Sequence, residues 1–416
     1  MPLWTAITTS LKSFSTGTTT SALRPDYLQD ARVFPTSGFE SIQADHLVEE
    51  EELPDYQAHR FYPVRIGDIF ESRYQVVAKL GYGSSSTTWL SRDLANNQYV
   101  ALKVYVHTSL YHREVPVYEH MDHQLRTSSH QGRHNIRRLL HSFKILGPSG
   151  THTVLVFEAA QMSLRDMKLV FRHDGFDENF VKGAVTELLQ ALDFLHTQAN
   201  IVHTDVHAGN MLLGTYNSQI LKTLEDKEFS SPVPRKQVSS TRTVYLSRLM
   251  RPTEGPMLLS DFGEARIGLG PHGGDIMPLE YRAPETLLYI GWSYPVDIWS
   301  VGLTAWDLLE PRKLFTARDE DGDLYDAAHL AQLIAALGPP PPNFLRRNPD
   351  RKGEFWDRDG KWLNLAPIPN GRTLEALESQ LEDKSGFLHF IRKALTWMPE
   401  DRATAKELLQ DPWLAG

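Results

Sequence analysis

The spacing of apolar and polar residues changes character along the chain. Short runs with a period of two predict strands, and residues 110–122 predict one helix beside them. The predicted strands cover residues 74–80, 87–92, 99–105 and 153–158. From about residue 160 the apolar spacing becomes helical, first at Val181, Val185, Leu188, Leu192 and Leu195 and later around 303–309 and 387–397. The pattern predicts an α+β chain with a small β-rich part followed by a larger, mainly helical part.

Two stretches fall outside this pattern. Residues 1–57 lack a clear period and end in the acidic run 49–52, which predicts a largely irregular N-terminal extension. Residues 214–257 carry several Ser, Pro and basic residues without sustained periodicity, which predicts an inserted and partly ordered spacer. Between them, we expect an N-terminal lobe over 58–159 and a C-terminal lobe over 160–416 that contains the spacer.

Length, composition and charge argue against several classes of protein. A length of 416 residues exceeds what one core usually holds, so two lobes are expected. A net charge of −9 argues against direct nucleic-acid binding and suits either basic partners or solubility alone. The chain has no cysteine, which excludes disulfides and thiolate metal sites and fits a reducing compartment. No apolar run reaches the roughly eighteen residues of a membrane span. Residues 1–25 lack acidic residues, which leaves open a mitochondrial targeting peptide or a disordered tail.

A glycine-rich turn joins the first two predicted strands. It reads Leu80-Gly81-Tyr82-Gly83-Ser84-Ser85-Ser86-Thr87, and its glycines allow the backbone to approach phosphates, although similar turns join ordinary hairpins. Lys103 follows on the third strand, where a buried ammonium needs an anion. Phosphate oxygens and Glu114 in the next helix would supply one. The alternative is an edge strand whose lysine points to solvent.

A second motif follows the first long helix. In His203-Thr204-Asp205-Val206-His207-Ala208-Gly209-Asn210, the spacing of Asp205 and Asn210 can place a base and a metal ligand around one phosphoryl group. Asp261-Phe262-Gly263 then offers a second metal ligand. Phosphoryl transfer depends on positioning, Mg²⁺ and charge neutralisation, so these residues predict a phosphoryl-transfer enzyme.

Three further motifs complete an ordered series. They are Ala283-Pro284-Glu285, Asp297-Ile298-Trp299-Ser300 and Arg402. The whole series, from about Tyr74 to Leu414, resembles that of the eukaryotic protein kinases. The resemblance implies a two-lobed kinase fold with ATP and Mg²⁺ in the cleft and a serine/threonine protein substrate.

The resemblance also implies residue roles. Asp205 would accept or orient the substrate hydroxyl proton, with Lys103, Asn210 and His207 as the other catalytic residues, and Asn210 and Asp261 would bind Mg²⁺. Phe157 would be the gatekeeper before the hinge Glu158-Ala159-Ala160. The implied nucleotide-binding residues are Leu80, Gly81, Tyr82, Gly83, Ser84, Ser85, Ser86, Thr88, Ala101, Lys103, Glu114, Phe157, Glu158 and Ala160. Structural roles are implied for Asp297, as a brace of the catalytic loop, and for a buried Glu285–Arg402 ion pair.

Three features resemble the SR-protein kinases, in particular a divergent fungal branch. These are Ser86 at the place of a third glycine in the loop that ends at Leu90, Thr204 between His203 and Asp205, and the spacer. The resemblance implies phosphorylation of serine in Arg/Ser-rich proteins of mRNA processing. We also expect a monomer in the cytoplasm and nucleus, without membrane or direct nucleic-acid contact.

Two residues differ from those found in most kinases, and the differences bear on regulation and on the reaction rate. Thr204 stands where most kinases have an arginine that reads a phosphate on the activation segment. Residues 264–283 contain no serine or threonine, and their one side-chain hydroxyl belongs to Tyr281. We therefore expect activity without phosphorylation of that segment. His207 replaces a lysine, so the rate is expected to be lower or to vary with pH near about 6–7.

The stretch 316–326 is strongly acidic and predicts docking of Arg-rich peptides, with a solvated loop as the alternative. Two rival functions remain. The loop around His207 is also similar to that of aminoglycoside- and choline-type phosphotransferases. A non-enzymatic pseudokinase scaffold is the other rival, although Lys103, Asp205, Asn210 and Asp261 are all present.

Overall fold

The computed structural model describes residues 30–109 and 113–415. The stretch 1–25 therefore lies outside the described residues, as does the start of the helix predicted at 110–122. The strands are β1 (Ile69–Phe70), β2 (Tyr74–Tyr82), β3 (Ser86–Asp93), β4 (Gln98–Tyr105), β5 (Leu139–Leu146), β6 (Thr151–Glu158), β7 (Ile201–Val202), β8 (Met211–Leu213), β9 (Arg235–Gln237), β10 (Thr243–Tyr245), β11 (Met257–Leu259) and β12 (Arg266–Ile267).

The helices alternate with long loops in the second half of the chain. Their bounds are α1 (Glu114–Thr127), α2 (Leu164–Phe171), α3 (Glu178–Phe194), α4 (Gln219–Ser230), α5 (Pro284–Leu287), α6 (Pro295–Leu309), α7 (Asp326–Leu337), α8 (Pro342–Leu345), α9 (Pro349–Phe355), α10 (Leu374–Leu377), α11 (Ser385–Ala394), α12 (Ala405–Leu408) and α13 (Pro412–Ala415). None of the helices in the described ranges combines the length and apolar content needed to cross a bilayer.

The first lobe is an antiparallel sheet with helix α1 against it. Within the described residues the strand order is β1-β2-β3-β4-β6-β5. The β2–β3 hairpin carries the glycine-rich turn, and Lys103 pairs with Thr88 across β3 and β4. Strand β5 was not predicted, because much of this edge strand is exposed and its residues do not alternate cleanly between buried and exposed.

The second lobe is built around two buried helices. The predicted apolar face of α3 is buried, and α6 is enclosed along nearly all of its length. Beside α6, the Arg402 guanidinium donates two hydrogen bonds of 2.6 Å to the Glu285 carboxylate, and both side chains are almost fully buried. A bidentate pair satisfies both charges, which burial would otherwise penalise.

The spacer and the described part of the extension, residues 30–57, pack against the first lobe more closely than their sequences suggest. The spacer contains α4, β9 and β10, and its Leu221 and Leu224 pack with Val77 and Leu90 of the first lobe's sheet. Although it interrupts the C-terminal lobe in sequence, the spacer therefore covers the N-terminal lobe. The extension joins the same layer, because Phe34 stacks on Phe229 of α4 with ring centroids 4.6 Å apart.

A buried lysine connects the extension to the sheet. The Lys79 side chain on β2 has no exposed surface, and it forms an ion pair with Glu50 of the extension. Glu49 lies 3.2 Å from the same ammonium, which also donates to the Tyr245 carbonyl of the spacer at 3.2 Å. A buried ammonium is stable only when it is paired, so the acidic run is a structural component of the lobe.

We expect Lys79→Met to destabilise the protein by about 3–5 kcal/mol, because it leaves the buried Glu50 carboxylate without its cation. The measurement is the free energy of unfolding from a urea titration followed by tryptophan fluorescence. The double variant Lys79→Met/Glu50→Leu removes both charges and is expected to recover most of the loss. Equal losses in the single and double variants would contradict a stabilising ion pair.

Candidate active site

A cavity of about 390 Å³ separates the two lobes. Of the predicted nucleotide-binding residues, it is lined by Leu80, Gly81, Tyr82, Gly83, Ser84, Ser85, Ser86, Thr88, Lys103, Glu114, Phe157 and Ala160. Ala101 and Glu158 lie on the paired strands β4 and β6 and are not part of this lining. Asn210 and Asp261 line the cavity from the second lobe. The structure thus brings the glycine-rich turn, the lysine and both candidate metal ligands to one cleft.

Lys103 is held between two carboxylates at the base of the cleft. Its Nζ lies 2.9 Å from Oε2 of Glu114 and 3.1 Å from Oδ1 of Asp261. Burial alone would lower the pKa of Lys103, but Asp261 and Glu114 raise it well above its usual value. Burial would raise the pKa of Asp261, and the Lys103 ammonium lowers it instead. The lysine is therefore a permanent cation and Asp261 an ionised carboxylate at neutral pH.

The segment that carries Asp261 is held in place by its neighbour Phe262. The Phe262 ring is fully buried, and its centroid lies 5.2 Å from that of Tyr118 on α1 and 4.9 Å from that of His203. Asp261 itself has a φ of 63°, a left-handed conformation that non-glycine residues adopt at a cost. The buried ring and the ion pair hold this conformation, so that Asp261 faces the cleft.

Asp205 and Asn210 meet as the sequence spacing predicts. The Asn210 amide donates to the Asp205 carbonyl at 2.8 Å and to its Oδ2 at 3.0 Å. His207 Nε2 lies 3.5 Å from the same oxygen. Burial would raise the pKa of Asp205, but the hydrogen bond from His207 and the charges of His207 and His203 lower it. Asp205 is therefore ionised at neutral pH and can accept a proton.

The catalytic loop is anchored on one buried carboxylate. Asp297 at the start of α6 accepts the backbone N–H groups of His203 and Thr204, both at 2.8 Å, and a ring nitrogen of His196 at 2.8 Å. Its side chain is fully buried. Thr204 has a φ of 69°, which is a strained conformation for a β-branched residue. The bonds to Asp297 stabilise this conformation.

The Thr204 side chain connects the catalytic loop to the activation segment. Its hydroxyl donates to the Glu264 carbonyl at 2.7 Å, and the adjoining strands β7 and β12 pair through Val202 and Arg266. Further along the segment, the Tyr281 hydroxyl donates to Asp307 at 2.5 Å. The position that holds a phosphate-reading arginine in most kinases therefore holds a direct link between the two loops.

Magnesium fits the donor set at this end of the cleft. Asn210 and Asp261 are adjacent in space, because the backbone N–H of Ser260 donates to the Asn210 carbonyl at 2.9 Å. The described residues contain no cluster of three His, Cys, Asp or Glu side chains placed for a metal. Mg²⁺ prefers a few protein oxygens completed by water and substrate phosphates, and these two residues match that preference.

Some cleft residues were missed from the sequence. The spacer contributes Arg248, Leu249 and Met250 to the lining, and Arg137 contributes a guanidinium beside the gatekeeper. The spacer reaches the cleft because the Arg248 backbone N–H donates to the Lys79 carbonyl at 2.9 Å. No motif marks these positions, since they are set by how the spacer packs.

Thr204→Val removes the hydroxyl bond to Glu264 and keeps the side-chain shape. We expect the local stability of residues 264–266 to fall by about 1 kcal/mol, which is roughly a fivefold faster amide exchange measured by mass spectrometry. Thr197→Val is the matched control, because Thr197 makes a similar hydroxyl bond to the Asp193 carbonyl in an exposed position. Unchanged exchange at 264–266 would show that this bond does not hold the segment.

Comparison with known proteins agrees with this geometry. A family model described as the protein kinase domain matches residues 74–414. A serine/threonine protein kinase of Aspergillus fumigatus is 42% identical over 91% of this chain and 94% of its own length. The serine/threonine-protein kinase SRPK of Physarum polycephalum is 27% identical over 88% of this chain and 92% of its own. SRSF protein kinase 3 of Mus musculus is 26% identical over 88% and 90%.

A solved structure shows the same fold. The crystal structure of a kinase domain superposes with a TM-score of 0.67 at 21% identity, covering 85% of this chain and 99% of the other. The predicted two-lobed α+β kinase fold is therefore confirmed. The small-molecule phosphotransferase and the non-enzymatic scaffold are set aside by the family match and the similarity to serine/threonine kinases. The chain belongs to the protein kinase family and is a serine/threonine protein kinase.

Proposed function

We propose that this kinase uses ATP and Mg²⁺ to phosphorylate serine in Arg/Ser-rich proteins of mRNA processing, and that it needs no phosphate on its activation segment. The observation that carries the proposal is the link from Thr204 to Glu264, which joins the catalytic loop to the activation segment without a phosphate. The similarity to proteins named SRPK and SRSF protein kinase 3 supports the substrate class.

Each of the following residues would have a separate role in the reaction. The Asp205 carboxylate, ionised and 3.0 Å from the Asn210 amide, orients the substrate hydroxyl and accepts its proton. Lys103 neutralises phosphate oxygens, and Glu114 fixes its position. Bound Mg²⁺ would neutralise further phosphate charge, with Asn210 and Asp261 as its protein ligands. His207, whose Nε2 lies 3.5 Å from Asp205 Oδ2, would help to orient the same carboxylate.

The contacts of the activation segment support the proposal that it is ordered without phosphorylation. It is joined to the catalytic loop by Thr204 and to α6 by the bond from Tyr281 to Asp307, and Lys313 pairs with Glu280 at 2.7 Å. All of these contacts use unmodified side chains. A kinase that depends on segment phosphorylation instead needs a phosphate paired with arginine to order the loop.

Enzyme produced in bacteria and treated with phosphatase is expected to keep its full rate, because no contact in the segment needs a phosphate. The measurement is the initial rate on an Arg/Ser peptide before and after treatment, with intact mass confirming that no phosphate remains. The Asp205→Ala variant is the control for contaminating kinases. A large loss of rate after dephosphorylation would overturn this part of the proposal.

An acidic loop provides a place for basic substrates. Glu320, Asp321 and Asp323 lie between α6 and α7 and are exposed. Asp319 instead accepts the backbone N–H groups of Asp321 and Asp323, at 3.1 and 2.9 Å, and so shapes the loop. Arginine pairs with carboxylates through two parallel hydrogen bonds, and the exposed carboxylates are open to such pairs.

Replacing Glu320, Asp321 and Asp323 by their amides is expected to raise KM for an Arg/Ser peptide about 3- to 10-fold with little change in kcat, since exposed ion pairs contribute up to about 1 kcal/mol each. KM for a short peptide without arginine should not change. Amides at Asp45, Glu71 and Asp359, which are also exposed, form the matched control. An equal effect of both triples would mean that the loop has no docking role.

A further inference from the structure

An unusual cation lies at the back of the nucleotide cleft. Arg137 is 8% exposed and lines the cavity beside the gatekeeper Phe157. Its guanidinium carbon lies 4.8 Å from the centre of the Phe157 ring. Among the residues that the structure describes, no carboxylate lies within ion-pair distance of Arg137. Burial lowers its pKa, as expected for a cation with incomplete compensation.

The Arg137 side chain donates a hydrogen bond to the hinge. Its Nε–H donates to the backbone carbonyl of Glu158 at 3.3 Å, and Glu158 begins the hinge that follows the gatekeeper. The purine base is expected to meet this backbone. A hinge carbonyl that already accepts a guanidinium hydrogen is a poorer acceptor for an amino group of the base. The other N–H groups of the Arg137 guanidinium can only donate hydrogen bonds, because a guanidinium has no acceptor atom.

Adenine and guanine differ in the group at C6, which a guanidinium donor beside the base would contact. Adenine carries an amino group at C6 next to the acceptor N7, whereas guanine carries the acceptor O6 next to N7. A guanidinium can donate to O6 and N7 together, but it meets a donor when it faces the adenine amino group. A buried arginine with spare donors therefore favours a 6-oxopurine.

We propose that Arg137 is a specificity residue that lets the cleft bind guanine nucleotides, so that GTP serves as a phosphoryl donor beside ATP. The inference rests on the proposed function, in which a purine nucleotide occupies this cleft. In the reaction, the substrate serine oxygen bonds to the γ-phosphorus and the bond to the β–γ bridging oxygen breaks. GDP leaves, and the serine proton passes to Asp205.

The first test compares ligands on the unmodified enzyme. Calorimetric titration with Mg²⁺ and non-hydrolysable ATP and GTP analogues is expected to give affinities within about tenfold of each other. An inosine analogue, which has the 6-oxo group but lacks the 2-amino group, should bind like the guanine analogue. Binding of the adenine analogue alone would overturn the inference and leave the proposed function standing. Failure of all three to bind would overturn both.

The second test removes the guanidinium. Arg137→Val is expected to weaken the guanine and inosine analogues about 5- to 100-fold, as a lost bidentate contact predicts, and to leave adenine binding equal or tighter. Arg137→Gln, which keeps a polar group, gives a second variant if the first is poorly folded in a thermal melt. Arg138→Val is the matched control, because the Arg138 guanidinium donates to the Arg133 carbonyl and does not line the cavity.

The same variants should shift kcat/KM for GTP relative to ATP by a similar factor on one peptide substrate. A guanine-to-adenine preference that is the same in the unmodified enzyme and in both Arg137 variants would mean that Arg137 does not read the base. A change of equal size in the Arg138 control would have the same meaning.

Discussion

The buried carboxylate of Asp297 determines the shape of the catalytic loop. It accepts two consecutive backbone N–H groups, from His203 and Thr204, while Thr204 occupies a left-handed conformation. A β-branched residue does not remain there unless its surroundings compensate. Directly after this turn, the Asp205 carboxylate accepts a hydrogen bond from Asn210, which lines the cleft, and the Thr204 hydroxyl donates to the activation segment. Asp297 on α6 therefore positions both the candidate base Asp205 and, through Thr204, the activation segment.

Contacts can be predicted from the sequence where the chemistry requires particular residue types at fixed spacing. Asp205 and Asn210 are five residues apart in one loop, and Lys103 needs an anion on its strand, so their meeting could be anticipated. The α+β organisation followed from the change of apolar period. What failed was the recognition of partners distant in sequence. Nothing local in the acidic run reveals that Glu50 pairs with Lys79, because the pairing depends on how the extension crosses the sheet.

The spacer shows the same limit in another form. Its Glu228 carboxylate is almost fully buried and accepts from Arg235 at 2.9 Å and from Arg248 at 2.7 Å. In sequence these residues are a charged, irregular stretch, and such a stretch is usually solvated. In the fold they are a closed ion cluster, which lets charged residues cover an apolar sheet without leaving any of the three charges unpaired.

This arrangement has a consequence for the nucleotide cleft. Arg248 is fixed by Glu228 through its side chain and by Lys79 through its backbone, and Lys79 lies one residue before the glycine-rich turn. Buried charges tolerate little displacement, because separating them exposes an unpaired ion to a low-dielectric interior. Buried ion pairs and hydrogen bonds therefore hold spacer, extension and strand β2 together. The rim of the cleft, formed partly by the spacer, is consequently joined to the N-terminal extension by partly buried polar contacts. These contacts connect residues almost two hundred positions apart in sequence, as Glu49 and Ser247 are.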